Sequence, residues 1–328
     1  MKKFLAHTVC VAALGASLAI SATVGAMAKD FRLGTIVPAG HFWSKYATAM
    51  GEAIKEQSGG AHTVTVFPSG QLGDESQMVQ QLQSGALDMA FLTIADVSNR
   101  IPAFGALYAP FLVDNVGDGA KLLKGETAQK LLEELPGKMG VLGMGYGIAA
   151  MRQMLSTTPI ETSADLADKK MRITPFKPFR DLYNIIGIAP TPMPLPDVYD
   201  ALANGQVDAI DVDLELIMNF RFDQRAKHLL LTNHAMFPMV GLVSGRVWAE
   251  LSEEDRKLVG DNMAKALDDL LAEYGRLEPE LVSQVKATGI EVKEVGPEFF
   301  PGVVEKWEET WKDQKPLIDR LRAEAAAM

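Results

Sequence analysis

The run Phe31-Arg32-Leu33-Gly34-Thr35-Ile36-Val37, closed by Pro38-Ala39-Gly40 and followed by Phe42, Tyr46, Met50 and Ile54, decides the fold. The first seven residues are a short, largely apolar stretch ended by a turn signal, which reads as a strand. The next four recur every fourth residue, which puts them on one face of a helix over 41–57. Ser58-Gly59-Gly60 stops that helix. Working outward, His62 to Phe67 alternates through Val64 and Val66 and is a strand. Pro68-Ser69-Gly70 turns the chain, Asp74 or Glu75 opens a helix to about Ser84, and Leu87 to Thr93 is the next strand. A β-α-β-α-β order implies an α/β fold, with a mostly parallel sheet covered by helices.

The pattern continues. A helix over 118–135 and a strand over 139–144 close a first block. From Ala149 a second begins: strand 170–174, helix 179–186, strand 189–193, helix 196–203, strand 207–212 and helix 214–220. Two similar α/β blocks thus meet near residue 150. A helix over 253–285 is about 50 Å long at 1.5 Å per residue, enough to cross both. A strand at 290–295 and a helix over 301–325 finish the chain.

Composition narrows the function. Of 328 residues, 48% are apolar and 23% charged, which suits a folded globular chain. Lys and Arg number 32 against 42 Asp and Glu, a formal charge of -10. An acidic chain without a basic block lacks the cations that neutralise phosphate, so nucleic acid and anionic lipid are not expected partners. Lys2 and Lys3, the apolar run from Phe4 to about Ile20 and Ala26-Met27-Ala28 have the layout of a secretory signal peptide, 1–28, cleaved after Ala28. The competing reading is an N-terminal anchor, but the run is short and rich in Ala, Gly and Ser. Cleavage would remove two lysines and no acid, taking the charge to -12, and would also remove Cys10, the single cysteine. A periplasmic protein without direct membrane insertion of the mature chain is expected.

Catalytic and cofactor signatures are missing, and no cofactor or metal is expected. Gly143-Met144-Gly145-Tyr146-Gly147 lacks the G-x-G-x-x-G spacing and reads as close packing or a bend in a crossing strand. There is no phosphate-binding G-x-x-x-x-G-K-S/T loop and no G-x-S-x-G elbow. His228 and His234 are six apart across a turn, which does not suit one metal. Asp208, Asp211 and Asp213 cluster at a strand end. Asp208 suits a turn and Asp213 a helix N-cap. Asp211 and Asp213 also remain candidates for a ligand, because strand C-termini line the crevice in α/β folds.

Three stretches carry a resemblance: Phe67-Pro68-Ser69-Gly70-Gln71-Leu72-Gly73-Asp74-Glu75 with Gln81 to Asp88 after it; Lys169-Lys170-Met171-Arg172-Ile173; and Pro190-Thr191-Pro192-Met193-Pro194-Leu195-Pro196 running on to Asn204-Gly205-Gln206-Val207-Asp208. In order and spacing they resemble the substrate-binding proteins of tripartite ATP-independent periplasmic (TRAP) transporters, the DctP family. The resemblance implies two α/β domains around a ligand cleft, with crossing strands and a long helix spanning both. Residues 29–149 with about 238–277 would form domain I, and 150–237 with about 278–328 domain II. It implies that Arg172 binds the carboxylate of an organic acid, with Arg152 as a second arginine. It also implies that Ile36, Glu75, Thr93, Thr174, Leu195, Asp211, Val212 and Asp213 line the ligand. A planar guanidinium fork gives a carboxylate two parallel charge-assisted hydrogen bonds.

The sequence departs from the family's sugar-acid binders, which carry D-G-Q-E-N-P after the third stretch. Here Asp208-Ala209-Ile210-Asp211-Val212-Asp213 puts Val212 at the asparagine. Ile36 and Thr93 likewise replace polar and acidic positions. A buried hydroxyl left unpaired costs about 1–3 kcal/mol, so a smaller or less polar acid is expected. The function implied is capture of a small organic acid anion and its delivery to the membrane subunits of a TRAP permease. The alternative is a secreted α/β hydrolase or lyase on a small organic acid. An extracytoplasmic sensor would share the same site.

Overall fold

In the computed structural model, which describes residues 28–328, the opening segment folds as its punctuation predicts. The signal segment and Cys10 lie outside the described residues. β1 (Lys29–Thr35), α1 (Phe42–Gln57), β2 (His62–Phe67), α2 (Glu75–Ser84) and β3 (Met89–Thr93) follow in order. His41 caps α1 by accepting the Trp43 N–H on its ring. Asp74 caps α2 through a reciprocal pair of bonds with Gln77, and Gly85, at φ 82°, ends it in the left-handed region that glycine tolerates. α3 (Ile94–Arg100) starts directly at the end of β3 with Thr93 as its cap, and a 3₁₀ turn occupies Pro102–Tyr108.

The single helix expected over 118–135 is three: α4 (Val116–Lys124), α5 (Glu126–Leu132) and α6 (Leu135–Met139). Gly125 is extended there, and a Cβ on it would lie 2.6 Å from a Glu324 carboxylate oxygen. The break therefore answers to a side chain some two hundred residues away, which local periodicity cannot report. β4 (Val141–Met151) runs on through the glycines where only 139–144 was expected. The second lobe holds β5 (Gln153–Ser156), β6 (Lys170–Ile173), α7 (Lys177–Ile186), β7 (Ala189–Pro192), α8 (Val198–Ala203), β8 (Ala209–Val212), α9 (Leu214–Asn219) and β9 (His228–Leu231). The chain returns through β10 (Met236–Ser244) and α10 (Gly245–Glu250). It ends with α11 (Glu253–Ala287), β11 (Glu291–Glu294), α12 (Val303–Thr310) and α13 (Lys315–Ala326).

Two sheets result, ordered β2-β1-β3-β10-β4 and β11-β9-β5-β8-β6-β7. They are mixed rather than mostly parallel. β10 is antiparallel to β3 and β4, and β5 is antiparallel to β8 and β9. The exceptions sit where the chain passes between lobes, at Met151–Gln153 and between β9 and β10. Strand direction there is set by the crossing and leaves no trace in side-chain alternation. α11 lies on β4 and β10. Gly241 allows the approach: a Cβ there would lie 2.7 Å from Leu267.

The C-terminal segment also departs from expectation. It breaks near Trp311 instead of forming one helix over 301–325, and it serves both lobes rather than the second alone. α12 packs on α7, whereas α13 packs on the 3₁₀ turn, α4 and α5. The Trp311 indole lies over Gly105, where a Cβ would come within 2.5 Å of it.

Candidate ligand site

A cavity of about 440 Å³ opens between the two sheets. Its walls come from the C-terminal ends of β1, β3 and β6, the first turns of α1 and α2, and the residues entering α9. This is the crevice position that α/β topology favours for a ligand. Arg172, Arg152, Ile36, Glu75, Thr93, Thr174, Leu195 and Asp213 all line it. Asp211 and Val212 do not: both are fully buried behind it in β8. Among the described residues, no group of three His, Cys, Asp or Glu side chains is placed to hold a metal ion.

The two arginines are equally buried and differently partnered. Arg152, between β4 and β5, puts Nε 2.7 Å from Asp211 Oδ1 and Nη1 3.0 Å from Asp213 Oδ2. Its Nη2 donates to the Asp211 carbonyl at 2.6 Å, and its guanidinium stacks 4.3 Å from the Phe237 ring centroid. Arg172, on β6, donates from Nε and Nη2 to the Met193 carbonyl at 3.0 and 2.9 Å, and from Nη1 to the Asp211 carbonyl at 3.4 Å. No carboxylate pairs with it among the described residues. Of its five N–H groups these bonds use three, which leaves one on each terminal nitrogen. Desolvation, with Arg152 adding to it, lowers Arg172 to about 10, so it remains a cation at neutral pH.

The acids around them sort by partner. Burial alone would raise Asp211, but Arg152 and His234 overcome it and hold the carboxyl at about 2. Tyr183 also donates to it, at 2.6 Å. Asp213 caps α9 through the Leu216 N–H at 2.9 Å, and burial pushes it up to about 6 against the pull of Arg152. Asp208 accepts the Lys170 N–H at 3.0 Å in a turn, away from the cavity. Glu75 reaches from the start of α2 and accepts from Thr93 N at 2.6 Å and Thr93 Oγ1 at 2.9 Å. Withdrawal of its carboxyl from water pushes it up to about 7.

The sequence reading missed part of the apolar wall. Trp43 lines the cavity, with its indole N–H on the Ile148 carbonyl at 3.0 Å, and so do Leu216 and Phe237. The signal for Trp43 was available: the buried stripe of α1 is Trp43, Ala47, Met50 and Ile54, one residue off the stripe through Phe42 and Tyr46.

The family profile of the bacterial extracellular solute-binding proteins, family 7 (DctP), matches residues 33–316. The chain belongs to that family. A solute-binding protein of Roseobacter denitrificans is 28% identical over 295 residues, 88% of this chain and 89% of its own. The sialic acid-binding periplasmic protein of Vibrio cholerae is 24% identical over 98% of this chain and 100% of its own. A TRAP periplasmic solute-binding protein from Bordetella bronchispeptica, with density assigned as pantoate, superposes with a TM-score of 0.84 at 28% identity. That match covers 89% of this chain and 98% of that one. The protein is thus a TRAP-type solute-binding protein, and the family is periplasmic. Its role is transport and not catalysis; the hydrolase or lyase alternative finds no support. No helix among the described residues is long and apolar enough to cross a membrane.

Proposed function

We propose that this solute-binding protein captures a small, sparsely hydroxylated monocarboxylate at Arg172. It then hands the anion to the membrane subunits of a TRAP permease, after export and cleavage near Ala28. One observation carries the reading: among the described residues, a buried guanidinium in the cavity wall has two free N–H groups and no carboxylate partner. Such a cation is costly until an anion meets it, and the free pair matches the fork that a carboxylate accepts. Arg152 acts from behind as the pin that fixes β8 and the start of α9. Ile36, Val37, Trp43, Leu195, Leu216 and Phe237 give the wall a large apolar share that offers nothing to sugar hydroxyls. Thr93, Thr174 and Glu75, with Ser76, Asp96 and Asn99 on the α2 and α3 side, supply the polar positions. A compact branched acid such as pantoate, assigned in the Bordetella relative, fits this balance better than the nine-carbon sugar acid of the Vibrio relative.

A thermal-shift panel of organic acids tests the reading. Binding to the folded state alone adds about 2.7 kcal/mol at a hundred times Kd. Pantoate and similar short acids are expected to raise Tm by several degrees, and polyhydroxylated acids by less. A panel in which only sugar acids shift Tm overturns the ligand class, and one in which no acid does overturns the anion site.

A further inference from the structure

The cavity holds more acid than the captured anion can tolerate. Arg152 faces two carboxylates, Asp211 and Asp213, so the trio sums to -1 when both are ionised. Arg172 brings the site to neutrality before Glu75 is counted. An ionised Glu75 and an arriving carboxylate would then be two uncompensated negative charges in one poorly hydrated pocket, which raises the pKa of one of them.

We propose that capture of the anion takes up one proton, which settles on Glu75. The proposal rests on the organic-acid reading above. The hydrogen-bond geometry accommodates the protonated form. Oε1 continues to accept the Thr93 N–H at 2.6 Å, while Oε2, 2.9 Å from Thr93 Oγ1, turns from acceptor to donor. Thr93 Oγ1 still accepts the Ala95 N–H at 3.2 Å, and its own hydrogen is released to turn elsewhere. The Tyr108 hydroxyl, fully buried beside the Thr93 side chain and within electrostatic reach of Glu75, offers the acceptor. The protonated carboxyl therefore finds an acceptor in Thr93, and the Thr93 hydrogen one in Tyr108, so the proton can be held without leaving a buried donor unpaired.

The charges that face Glu75 fix the sign. Asp96 on α3 repels its ionised form, and Arg172 on β6 attracts it. Arg100 is tied to Asp96 at 2.8 Å, and the neighbouring Asp74 is occupied as the cap of α2. Across the cavity, Arg152 is matched by Asp211 and Asp213, and His41 is neutral, lowered to about 3 by burial. A ligand carboxylate on Arg172 screens the one attractive charge and adds a repulsive one. The Glu75 carboxyl, near 7 in the free protein, therefore moves higher in the complex. Well below pH 7 the free protein already carries the proton and uptake is near zero. Above pH 7 the proton must come from solvent, and affinity falls by up to tenfold per pH unit until the bound-state value is reached.

Calorimetry of pantoate binding, in pairs of buffers with different ionisation enthalpies, counts the protons. The expected result is near-zero uptake at about pH 5.5 and uptake approaching one at about pH 8.5, with Kd rising by about five- to tenfold per pH unit between about pH 7.5 and 8.5. Glu75→Gln is expected to abolish the uptake and flatten the profile. Pantoate binding without proton uptake at the higher pH overturns the inference and leaves the organic-acid reading standing. Uptake that persists in Glu75→Gln moves the proton elsewhere, Asp213 first, and overturns it too. If neither pantoate nor any acid of the panel binds at either pH, the organic-acid reading falls first and this inference falls with it.

Discussion

Arg152 and Arg172 line one cavity, are buried to the same degree and lie only twenty residues apart, yet they occupy opposite electrostatic situations. Arg152 is enclosed by two carboxylates, a carbonyl and an aromatic face. Among the described residues Arg172 meets only carbonyls. A charge whose partners are supplied by the fold stabilises the fold. One whose partner is missing holds a place for something that arrives from outside. Residue type does not distinguish the two roles; the count of nearby acids does.

The largest expected effect breaks the comparison on the Arg152 side. Arg152→Ala leaves Asp211 and Asp213 buried without their cation and is expected to cost about 3–5 kcal/mol of folding stability, read by urea unfolding. A loss below about 1 kcal/mol would mean that the pair is not a structural pin. Arg172→Ala is expected to do the reverse. It should raise Kd for the bound acid by tenfold to several hundredfold, from about 1.5–3 kcal/mol of charged hydrogen bonds, while leaving the free protein as stable or more so. Arg172→Lys should also bind poorly, since an ammonium lacks the planar fork. Equal stability losses in Arg152→Ala and Arg172→Ala would erase the distinction.

A smaller effect separates the acids. Asp211 is depressed to about 2, so its contribution to stability is present above its unfolded value near 4 and is lost as pH falls from about 4 to 2. Asp211→Asn should flatten that part of the acid-unfolding curve; an unchanged slope would remove Asp211 from the account. Smallest of all is Asp208→Ala. It removes one carboxylate acceptor from the partly exposed turn at Lys170 and should change stability by about 1 kcal/mol or less with no effect on Kd. A measurable loss of affinity would return Asp208 to the site.

How far the sequence discloses this differs along the chain. α1, β2, α2 and β6 were legible because their signals are local: a four-residue recurrence, a Val-x-Val alternation, a capping aspartate, a short Met-x-Ile run beside two lysines. The Gly125 break and the Trp311 break were not, because each answers to a distant partner, Glu324 in one case and Gly105 in the other. The same limit applied to the site. Arg172, Glu75 and Thr93 could be placed in the cleft through motif resemblance, and they do line the cavity. Asp211 and Val212 were expected beside them because they end a strand at the crevice. Neighbouring side chains on β8 point to opposite faces, however, and both faces are covered by packing, which depends on strand pairing that composition does not encode. That Asp211 would turn inward onto Arg152 follows only once β4 and β5 are seen to bring that arginine against it.

The C-terminal segment has a mechanical meaning. Two crossings join the lobes at β4–β5 and β9–β10, α11 contacts both, and the tail adds a fourth connection, with α12 anchored on one lobe and α13 on the other. A body held by four ties loses most of its freedom to twist or slide, because either displacement would shear the Trp307–Trp311 stack away from Gly105. The tail thus couples the two lobes, so that strain set up in one is carried to the other through the C-terminal helices as well as through the crossing strands.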